Sequence, residues 1–295
     1  MKYAPILIPT LCRFKLFKQC VESLSHCTGA QDTVLYIALD YPLNDSHVAG
    51  YYQIKEYIPS IVGFKRVETI YRNQNYGAAK NYRDAMDYIF MTYDSLIFTE
   101  DDNEFSPNFL EYINKGLELY ESNDRVISIS GYNYPINMKG YNKNAYANFQ
   151  FSAWGVGLWK NKVQFYTDKD VKKWLRSPFL CMKVLFRAPT SFISILIRLK
   201  RNELYGDSCN VVGSIINKKL SVFPAISKVR NCGRDGSGLH GKADENDPCN
   251  NQVIDRSDTF EYDDIALTPQ MTLQIRHYFN KILFKAIKRS INKLL

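Results

Sequence analysis

The sequence of 295 residues lacks the spacings of a zinc site. Its seven cysteines form no Cys-x-x-Cys pair, and its four histidines, at positions 26, 47, 240 and 277, do not recur at the spacing of zinc ligands. An odd number of scattered cysteines is typical of reduced thiols, with buried cysteines acting as small hydrophobic side chains. Because thiols stay reduced in the cytosol, we expect a cytoplasmic protein.

Long hydrophobic runs are also missing. No stretch reaches the roughly 18 consecutive apolar residues that a membrane span needs. The first five residues lead directly into a predicted strand, without the apolar region of a signal peptide. We therefore expect a soluble or peripheral protein. No nucleic-acid-binding motif is found either, and the basic residues do not alternate with aromatic residues along a predicted sheet, which argues against a nucleic-acid partner.

Aromatic side chains and positive charge are abundant. The chain has 21 tyrosines and 17 phenylalanines and is 45% hydrophobic, which is the composition of a globular protein. Its formal net charge is +8, and residues 277–295 carry five basic side chains and no acidic one. Apolar residues recur there at helical spacing, which predicts a basic amphipathic C-terminal helix on an anionic membrane surface. The alternative is a helix docked on the rest of the chain with its cations in water.

Short apolar runs alternate with amphipathic patterns along the chain. The predicted strands cover residues 4–9, 34–39, 67–71, 95–99, 126–130 and 221–224. The predicted helices cover residues 16–24, 51–61, a stretch that opens over 75–81 and runs to about 90, 107–121 and 210–218, with an irregular stretch over 131–151. This alternation predicts an α/β fold with a mostly parallel central sheet flanked by helices. In such sheets, ligands bind at the carboxyl ends of the strands.

Three consecutive acids, Glu100, Asp101 and Asp102, follow the fourth predicted strand directly. Their carboxylates would repel one another at the end of a buried strand unless a positive charge lies beside them. The simplest candidate is a divalent metal with oxygen ligands, itself bound to a phosphate-bearing substrate. The alternative is a solvated acidic turn that caps the next helix, because acids are favourable near a helix N-terminus.

The order of several short motifs resembles one enzyme family. Along the chain come Ile8-Pro9-Thr10, Asp40 after the second strand, Asn75 to Asn81, Glu100-Asp101-Asp102, Trp154-Gly155, Asp207, and a glycine-rich loop that ends at His240. This order resembles the GT-A-fold glycosyltransferases, which use nucleotide sugars. The stretch from Phe98 to Phe109 is similar to N-acetylglucosaminyltransferase I and its bacterial family-two-like relatives. The similarity covers about residues 4–241.

The resemblance implies a donor site built around the acids. Asp102 would coordinate Mn²⁺ (or Mg²⁺), which bridges the two phosphates of the donor in that family. Asp101 would lie beside the ribose or the sugar, and Glu100 takes the first position of the motif. Such a metal neutralises the charge that develops on the departing nucleoside diphosphate. Oxygen ligands suit either metal.

The resemblance also implies roles for residues outside the motif. Asp40 would bind the uracil or ribose, Pro9, Thr10 and Arg13 would form the first nucleotide-binding loop, and Lys80 would reach phosphate. His240 would end a loop that orders over the donor, and Trp154 with Gly155 would line the acceptor side. Several alternatives stay open: a solvated helix residue for Lys80 and for Arg13, a core side chain for Trp154, and an ordinary loop residue for His240.

Inverting transfer needs one base that takes the proton of the acceptor hydroxyl. In the related enzymes this is an aspartate, usually beside a tryptophan, and the matching residue here is Asp207. Tyr205 and Gly206 stand where the tryptophan is expected. The competing role for Asp207 is the N-cap of the helix that follows it, and Glu203 is then the alternative base.

These observations predict a catalytic domain over residues 1–245 and a C-terminal extension over 246–295. Within the domain, 1–130 would bind the nucleotide sugar and 131–245 the acceptor. The predicted function is a metal-dependent inverting glycosyltransferase that favours a UDP-sugar and acts on a glycan or lipid-linked glycan. We expect it on the inner face of the cell membrane, in the synthesis of a bacterial surface polysaccharide such as O-antigen or capsule.

A second enzyme class uses similar acids. A metal-dependent phosphohydrolase or nucleotidyltransferase would need further ligands to complete a two-metal site, and the sequence has no obvious second acidic cluster. A nucleotidyltransferase would also carry a glycine-rich phosphate loop after the first strand, where this chain has Pro9-Thr10-Leu11-Cys12-Arg13. This class therefore remains the alternative to sugar transfer.

Overall fold

The computed structural model of the chain describes residues 2–164, 166, 168–201, 206–233 and 252–291. The first part alternates strands with helices: β1 (Ile6–Thr10), α1 (Phe14–Ser25), β2 (Val34–Leu39), α2 (Asp45–Tyr57), β3 (Arg66–Tyr71), α3 (Ala78–Phe90) and β4 (Ser95–Phe98). The order then becomes less regular: β5 (Asn103–Phe105), α4 (Phe109–Leu119), β6 (Val126–Ser130), β7 (Ala145–Asn148), β8 (Val156–Trp159), α5 (Asp168–Leu175), α6 (Pro178–Arg187), α7 (Pro189–Arg201), α8 (Gly206–Asn217), β9 (Leu220–Pro224), β10 (Val229–Asn231) and α9 (Thr272–Ile291).

Eight of these strands form one sheet in the order β3-β2-β1-β4-β8-β6-β9-β7. The first four are parallel to one another, as are β6 and β9, whereas β8 and β7 are antiparallel to their neighbours. The carboxyl ends of β1, β2 and β4 therefore lie at the same edge of the sheet. The prediction of an α/β fold with a mostly parallel central sheet flanked by helices is confirmed.

Helices cover both faces of the parallel half of the sheet. On one face, α1, α2 and α4 pack their apolar side chains against Ile6 and Ile8 of β1. On the other face, α3 packs Met86 and Ile89 against Leu7 and Leu96. Because both faces are covered, β1, β2 and β4 are apolar except for Thr10 at the end of β1 and Ser95 at the start of β4, as buried parallel strands are.

The structure differs from the sequence prediction where strands are short. β7 lies within the stretch expected to be irregular, and β8 carries a glycine at its second position; both have four residues and pair antiparallel to their neighbours. Helix α2 begins six residues earlier than its apolar pattern, because the side chain of Asn44 caps it by accepting a hydrogen bond from the Ser46 amide.

The second half also contains a helical layer. Helices α5 to α8 have their own small core, which includes Val184, Ile195 and Val212. Helix α9 packs against α7, and its buried residue Ile275 joins an aromatic cluster with Tyr146 and Phe223. The predicted C-terminal helix is therefore present, and its first turns dock on the sheet; the basic side chains after Phe284 lie outside the described ones. In the described residues, no helix is long and apolar enough to cross a membrane.

The segment that precedes α9 is held by a buried ion pair. The Lys228 ammonium group, only 2% exposed, pairs with the carboxylate of Asp255. Asn108 Nδ2 donates to the same carboxylate at 3.0 Å. Although burial opposes the effect, these hydrogen bonds lower the pKa of Asp255 well below its usual range. This pair joins the segment to the start of β10, which leads into the candidate site.

Candidate active site at the carboxyl edge of the sheet

The acidic cluster lies where the sequence predicts it, immediately after β4. Asp101 and Asp102 form a tight turn between β4 and β5, and their exposed fractions are 5% and 6%. Because β4 is parallel to β1, this turn lies beside Thr10, the last residue of β1. The Thr10 hydroxyl donates a hydrogen bond of 2.7 Å to Asp101 Oδ2. Two carboxylates this deeply buried are not a solvated helix cap.

The positive charge that balances these acids comes from Arg13. Its Nη1 donates to Asp102 Oδ2 at 2.8 Å, and its Nη2 forms an ion pair with Asp101. Arg13 lies in the loop between β1 and α1, so the parallel pairing of β1 with β4 brings it to the acids. Although burial opposes the effect, the two carboxylates raise the pKa of the guanidinium group further above its ordinary value. Arg13 is therefore a permanent cation held between the two aspartates.

Sequence reasoning missed the second contact to Asp102. The short strand β10 pairs antiparallel with β5, with Asn231 opposite Asn103. This register places Asn231 Nδ2 2.7 Å from Asp102 Oδ1, and the Cys232 amide donates to the carbonyl oxygen of Asp102 at 2.7 Å. Because β5 and β10 have three residues each, no periodic pattern reveals them. The only signal is that Asn231 opens the glycine-rich stretch.

Gly233 and Asn231 together form one wall of the site around Asp102. A Cβ atom at position 233 would lie 1.9 Å from Asp102 Oδ2, well inside van der Waals contact. The absence of a side chain therefore allows the backbone to approach the carboxylate closely. The Gly233 amide in turn donates to Asn231 Oδ1 at 3.2 Å, which orients the amide group that holds Asp102.

Glu100 is held from the other side by Trp154. The indole Nε1 donates to Glu100 Oε2 at 3.1 Å, and the Trp154 ring packs edge-to-face on Tyr132. The next residue, Gly155, has a φ of +63°, a backbone conformation that favours glycine. Burial, followed by the charges of Asp102 and the other acids, raises the pKa of Glu100 to about 8. The predicted Trp154-Gly155 loop therefore belongs to the site.

Asp207 lies in the first turn of α8, and its charge reaches the acidic cluster. Its side chain keeps contact with solvent, yet it is surrounded by enough protein for burial to raise its pKa to about 6. A backbone hydrogen bond from Ala153, next to Trp154, opposes the shift. The Asp207 charge is one of those that raise the pKa of Glu100. An acid from the second half of the chain thus faces the acids that follow β4.

The raised pKa values carry a cost in stability. A group whose pKa is higher in the folded state binds protons more tightly there, so the free energy of unfolding falls as the pH rises between the two values. For Glu100 this window runs from 4.5, the ordinary value, to about 8. For Asp207 it runs from 3.8 to about 6. The fold therefore gathers acidic groups at this edge at a cost in stability, which is typical of functional sites.

Asp40 lies at the same edge, one strand further along. Its amide donates to the Thr10 carbonyl oxygen at 2.9 Å. Its Oδ1 accepts hydrogen bonds from the amides of Tyr41 and Tyr76, at 2.9 and 2.8 Å. Pro9 pairs with Ala38 inside the sheet and fixes the spacing between the two strand ends. Asp40 is therefore a rigidly held carboxylate beside Thr10.

Two predicted residues are not brought to the acids by described contacts. Lys80 is exposed on α3, where its ammonium group pairs with Asp84 at 2.5 Å and lies 3.7 Å from the centre of the Tyr76 ring. These contacts agree with the alternative of a solvated helix residue, although Tyr76 connects it to the Asp40 region. His240 lies outside the described residues.

The chemistry of this edge suits a divalent cation. The carboxylate oxygens of Asp101 and Asp102 are hard donors, as Mn²⁺ and Mg²⁺ prefer. The guanidinium group of Arg13 already places positive charge between them. Within the part of the chain that the structure describes, no three His, Cys, Asp or Glu side chains are arranged to hold a metal ion. A metal bound to Asp102 would therefore take further ligands from elsewhere, such as the phosphate oxygens of a substrate.

Removal of the Arg13 charge should destabilise the fold. In Arg13→Met the two buried carboxylates lose their counter-charge, and we expect the free energy of unfolding to fall by about 3 kcal/mol in the absence of metal. Mn²⁺ should restore part of the loss, because it binds the folded site and not the unfolded chain. Thermal unfolding with and without Mn²⁺ measures both effects.

A matched control for this prediction is Arg66→Met. Arg66 pairs with Glu68 on the surface, where solvent screens the two charges and the loss of the ion pair should change stability little. Equal stability of Arg13→Met and Arg66→Met would show that the acids do not need Arg13. A loss that Mn²⁺ does not reduce would show that no cation replaces it.

Comparison with known proteins gives one family match and several distant structural similarities. A sequence profile of the GNT-I family matches residues 1–149. No curated protein matches the chain. Mannosyltransferase PcManGT from Pyrobaculum calidifontis, solved with GDP-Man and Mn²⁺, is 14% identical over 56% of this chain and 48% of its own, with a TM-score of 0.39.

Two further solved structures are similar at the same level. Residues 1–349 of S. aureus TarS are 12% identical over 58% of this chain and 53% of that chain, with a TM-score of 0.38. GalNAc-T7, solved with UDP, GalNAc and Mn²⁺, is 10% identical over 78% of this chain and 44% of its own, with a TM-score of 0.46. The chain thus spans about half of the length of each of these three structures. The family match contains the strands β1 to β4 and the three acids, whereas Trp154, Asp207 and Asn231 lie beyond it.

Proposed function

The chain belongs to the GNT-I family, and we propose that it is a metal-dependent inverting glycosyltransferase. It would move a hexosyl or N-acetylhexosaminyl group from a UDP-sugar to a hydroxyl group of a glycan. The observation that carries this proposal is the buried pair Asp101 and Asp102, held against a cation at the end of β4. This pair lies inside the matched residues 1–149, at the edge of the sheet where ligands bind.

We assign donor binding to the half that contains residues 1–130. Asp40 presents a carboxylate oriented by two backbone amides, which suits hydrogen bonding to the uracil or the ribose. Thr10 orients Asp101 beside it. Arg13 lies close enough to the acids to contact a diphosphate bound there, and Pro9 shapes the same loop. Lys80 would contact the phosphates only if its side chain reaches from α3 to the donor. His240 would contact them only if the glycine-rich stretch reaches the donor.

Asp102, together with Asp101, would hold the metal. When bound, Mn²⁺ or Mg²⁺ supplies positive charge to the oxygens of the leaving diphosphate. Burial and the neighbouring acids raise the pKa of Glu100 to about 8, which favours its neutral form in the metal-free site. Trp154 keeps Glu100 in place through its indole hydrogen bond.

The half that contains residues 131–245 would bind the acceptor. With a pKa raised to about 6, Asp207 is mostly ionised at neutral pH and is matched to removing a proton from an attacking hydroxyl. Attack from the face opposite the leaving group would invert the anomeric configuration. Trp154 donates to Glu100, and its neighbour Ala153 hydrogen-bonds to Asp207 through the backbone, so an acceptor sugar near these acids would pack on the Trp154 ring and the Gly155 backbone.

We place this activity at the inner face of a bacterial membrane. The basic C-terminal helix α9 would contact anionic lipid, and the acceptor would be a lipid-linked unit of a surface polysaccharide such as O-antigen or capsule. The scattered thiols, including those of Cys12 and Cys20, agree with a reducing compartment.

The proposal is tested by calorimetric titration of the purified chain with UDP, GDP and CDP, each with and without Mn²⁺. We expect Mn²⁺-dependent binding of UDP and weaker binding of the other two nucleotides. Binding of GDP or CDP instead would keep the transferase class and correct the donor. No nucleotide binding under any condition, in a folded protein, would overturn the proposal. Release of inorganic phosphate from the nucleotides would favour the phosphohydrolase.

A further inference from the structure

Positive charge is concentrated in one helical segment that the catalytic proposal does not use. Residues 171–201 contain eight basic residues and no acidic residue. The formal net charge of the whole chain is also +8, and its 30 remaining basic residues are matched by 30 acidic ones. The entire charge surplus is therefore equal to the charge of residues 171–201. The exposed members whose side chains are described are Lys172, Lys173, Arg176 and Arg187.

The same segment exposes an apolar stripe on α6. Phe179, Met182 and Phe186 recur at spacings of three and four residues, which places them on one face of the helix. Their exposed fractions are 76%, 48% and 64%. Two large aromatic side chains in water on a ten-residue helix are unusual for a surface that has no partner.

Two features show that α6 is correctly docked, so that the exposed stripe is not a core face turned outward. Val184, on the opposite face of α6, is 2% exposed and fills the core that α6 shares with α7 and α8. The N-terminus of the helix is also capped, because the Ser177 side chain accepts a hydrogen bond from the Leu180 amide. The helix is therefore docked through one face and leaves Phe179, Met182 and Phe186 on the other.

Charge and apolar area occur together on this face. Arg187, which is exposed, follows Phe186 directly in sequence, and the exposed Arg176 lies three residues before Phe179. The ammonium group of Lys183 instead donates to the Ile216 carbonyl oxygen at 3.1 Å, so Arg176 and Arg187 are the exposed basic side chains nearest the stripe in sequence. An apolar stripe flanked by cations is the pattern of helices that lie in a membrane interface, with the aromatic side chains among the acyl chains and the cations on the phosphates. An anionic lipid surface complements both properties, whereas an acidic protein would match only the charge.

The position of α6 relative to the candidate site fits this role. Helix α6 packs on α8, and the first turn of α8 carries Asp207, which faces the acidic cluster. Helix α7 packs on both α6 and α9, so the stripe and the C-terminal helix belong to one helical layer. A surface bound by this layer would lie next to the acceptor side of the site.

We propose that α6 is the principal membrane-contact surface of this protein, inserting Phe179, Met182 and Phe186 into an anionic phospholipid bilayer. Basic side chains of the segment 171–201 bind the lipid phosphates around the stripe. The proposal rests on the proposed function in one respect: it names the surface through which the transferase would meet a lipid-linked acceptor. Membrane binding itself does not depend on any donor or acceptor.

The test is co-sedimentation of the full chain with vesicles of phosphatidylcholine and phosphatidylglycerol. We expect Phe179→Gln/Phe186→Gln to lower the partition coefficient at least about tenfold, because two large apolar side chains no longer enter the bilayer. Lys172→Gln/Lys173→Gln should lower it about tenfold as well, and raised salt should weaken binding of the unaltered chain. Pure phosphatidylcholine vesicles should bind weakly, and soluble glycerophosphate should not compete.

Matched variants separate this surface from its competitors. Val62→Gln/Met91→Gln removes apolar side chains that are 79% and 73% exposed elsewhere, and it should bind vesicles like the unaltered chain. If Leu273→Gln/Phe284→Gln on α9 abolishes binding while the α6 variant retains it, the proposal is overturned. A change of oligomeric state in the α6 variant, without a change in vesicle binding, would assign the stripe to a second copy of the chain.

Nucleotide titration of the same variants keeps this proposal distinct from the proposed function. The α6 variant should bind nucleotide and Mn²⁺ as the unaltered chain does, because α6 contributes no residue to the acidic site. Nucleotide binding without vesicle binding in the unaltered chain would overturn the membrane surface alone. Vesicle binding without nucleotide binding would overturn the transferase alone.

Discussion

Replacement of Asp207 by asparagine is expected to lower kcat by about 10² to 10⁴-fold and to leave nucleotide binding unchanged. Asparagine cannot take a proton from the attacking hydroxyl, whereas every contact with the donor remains. The N-cap role that the sequence leaves open is not the one the structure shows, because Asp207 lies within the first turn of α8, after its start at Gly206. Asparagine has nearly the size of aspartate, so a loss of activity at unchanged stability reports catalysis.

The pH dependence gives this prediction a second readout. A general base acts in its ionised form, so kcat should rise about tenfold per pH unit below the pKa of the base and level off above it. For Asp207, whose pKa is raised to about 6, the rise should end near pH 6. In Asp207→Asn the residual kcat should not show this rise with pH.

Asp87→Asn, an exposed acid on α3, is the matched control and should behave like the unaltered chain in both rate and pH dependence. Full activity of Asp207→Asn would remove Asp207 from the reaction. Weakened nucleotide binding in that variant would assign it to the donor instead.

The parallel half of the fold could be predicted because its sequence signal is local. The strands β1, β2 and β4 are buried on both faces, so each reads as a continuous apolar run that ends in a polar residue. The carboxyl ends of such strands must meet at one edge. For that reason the sequence alone predicts that the acids lie at the carboxyl edge of the sheet.

The contacts that hold Asp102 could not be predicted, because they depend on pairing between distant residues. Asn231 reaches Asp102 only through the register of β10 with β5, which are separated by more than 100 residues and contain three residues each. Arg13 was assigned to the nucleotide loop through the resemblance, but its pairing with both aspartates depends on side-chain directions at the strand end. Short elements and side-chain geometry carry too little periodic signal to be read from one sequence.

The second large effect is expected for Asp102→Ala. We expect Mn²⁺-dependent nucleotide binding to weaken at least about 100-fold and kcat/KM to fall by at least about 10³-fold, because the main oxygen ligand and its charge are both lost. The fold should survive, since Arg13 keeps its ion pair with Asp101 and Asn231 Nδ2 keeps its hydrogen bond of 3.1 Å to Asn103 Oδ1. Calorimetry with Mn²⁺ and nucleotide, beside thermal unfolding, measures both expectations.

A substitution that leaves the carboxylate in place tests whether its position matters. In Gly233→Ala the new methyl group would occupy space 1.9 Å from Asp102 Oδ2, so the carboxylate or the β10 backbone must shift. We expect a smaller loss of Mn²⁺-dependent nucleotide binding than in Asp102→Ala, about tenfold, the size of effect seen when a supporting residue of a metal site is changed. Undiminished binding in Gly233→Ala would show that the wall formed by Asn231 and Gly233 does not position Asp102. Undiminished binding in Asp102→Ala would return the acids to a structural role, with Arg13 as their only cation.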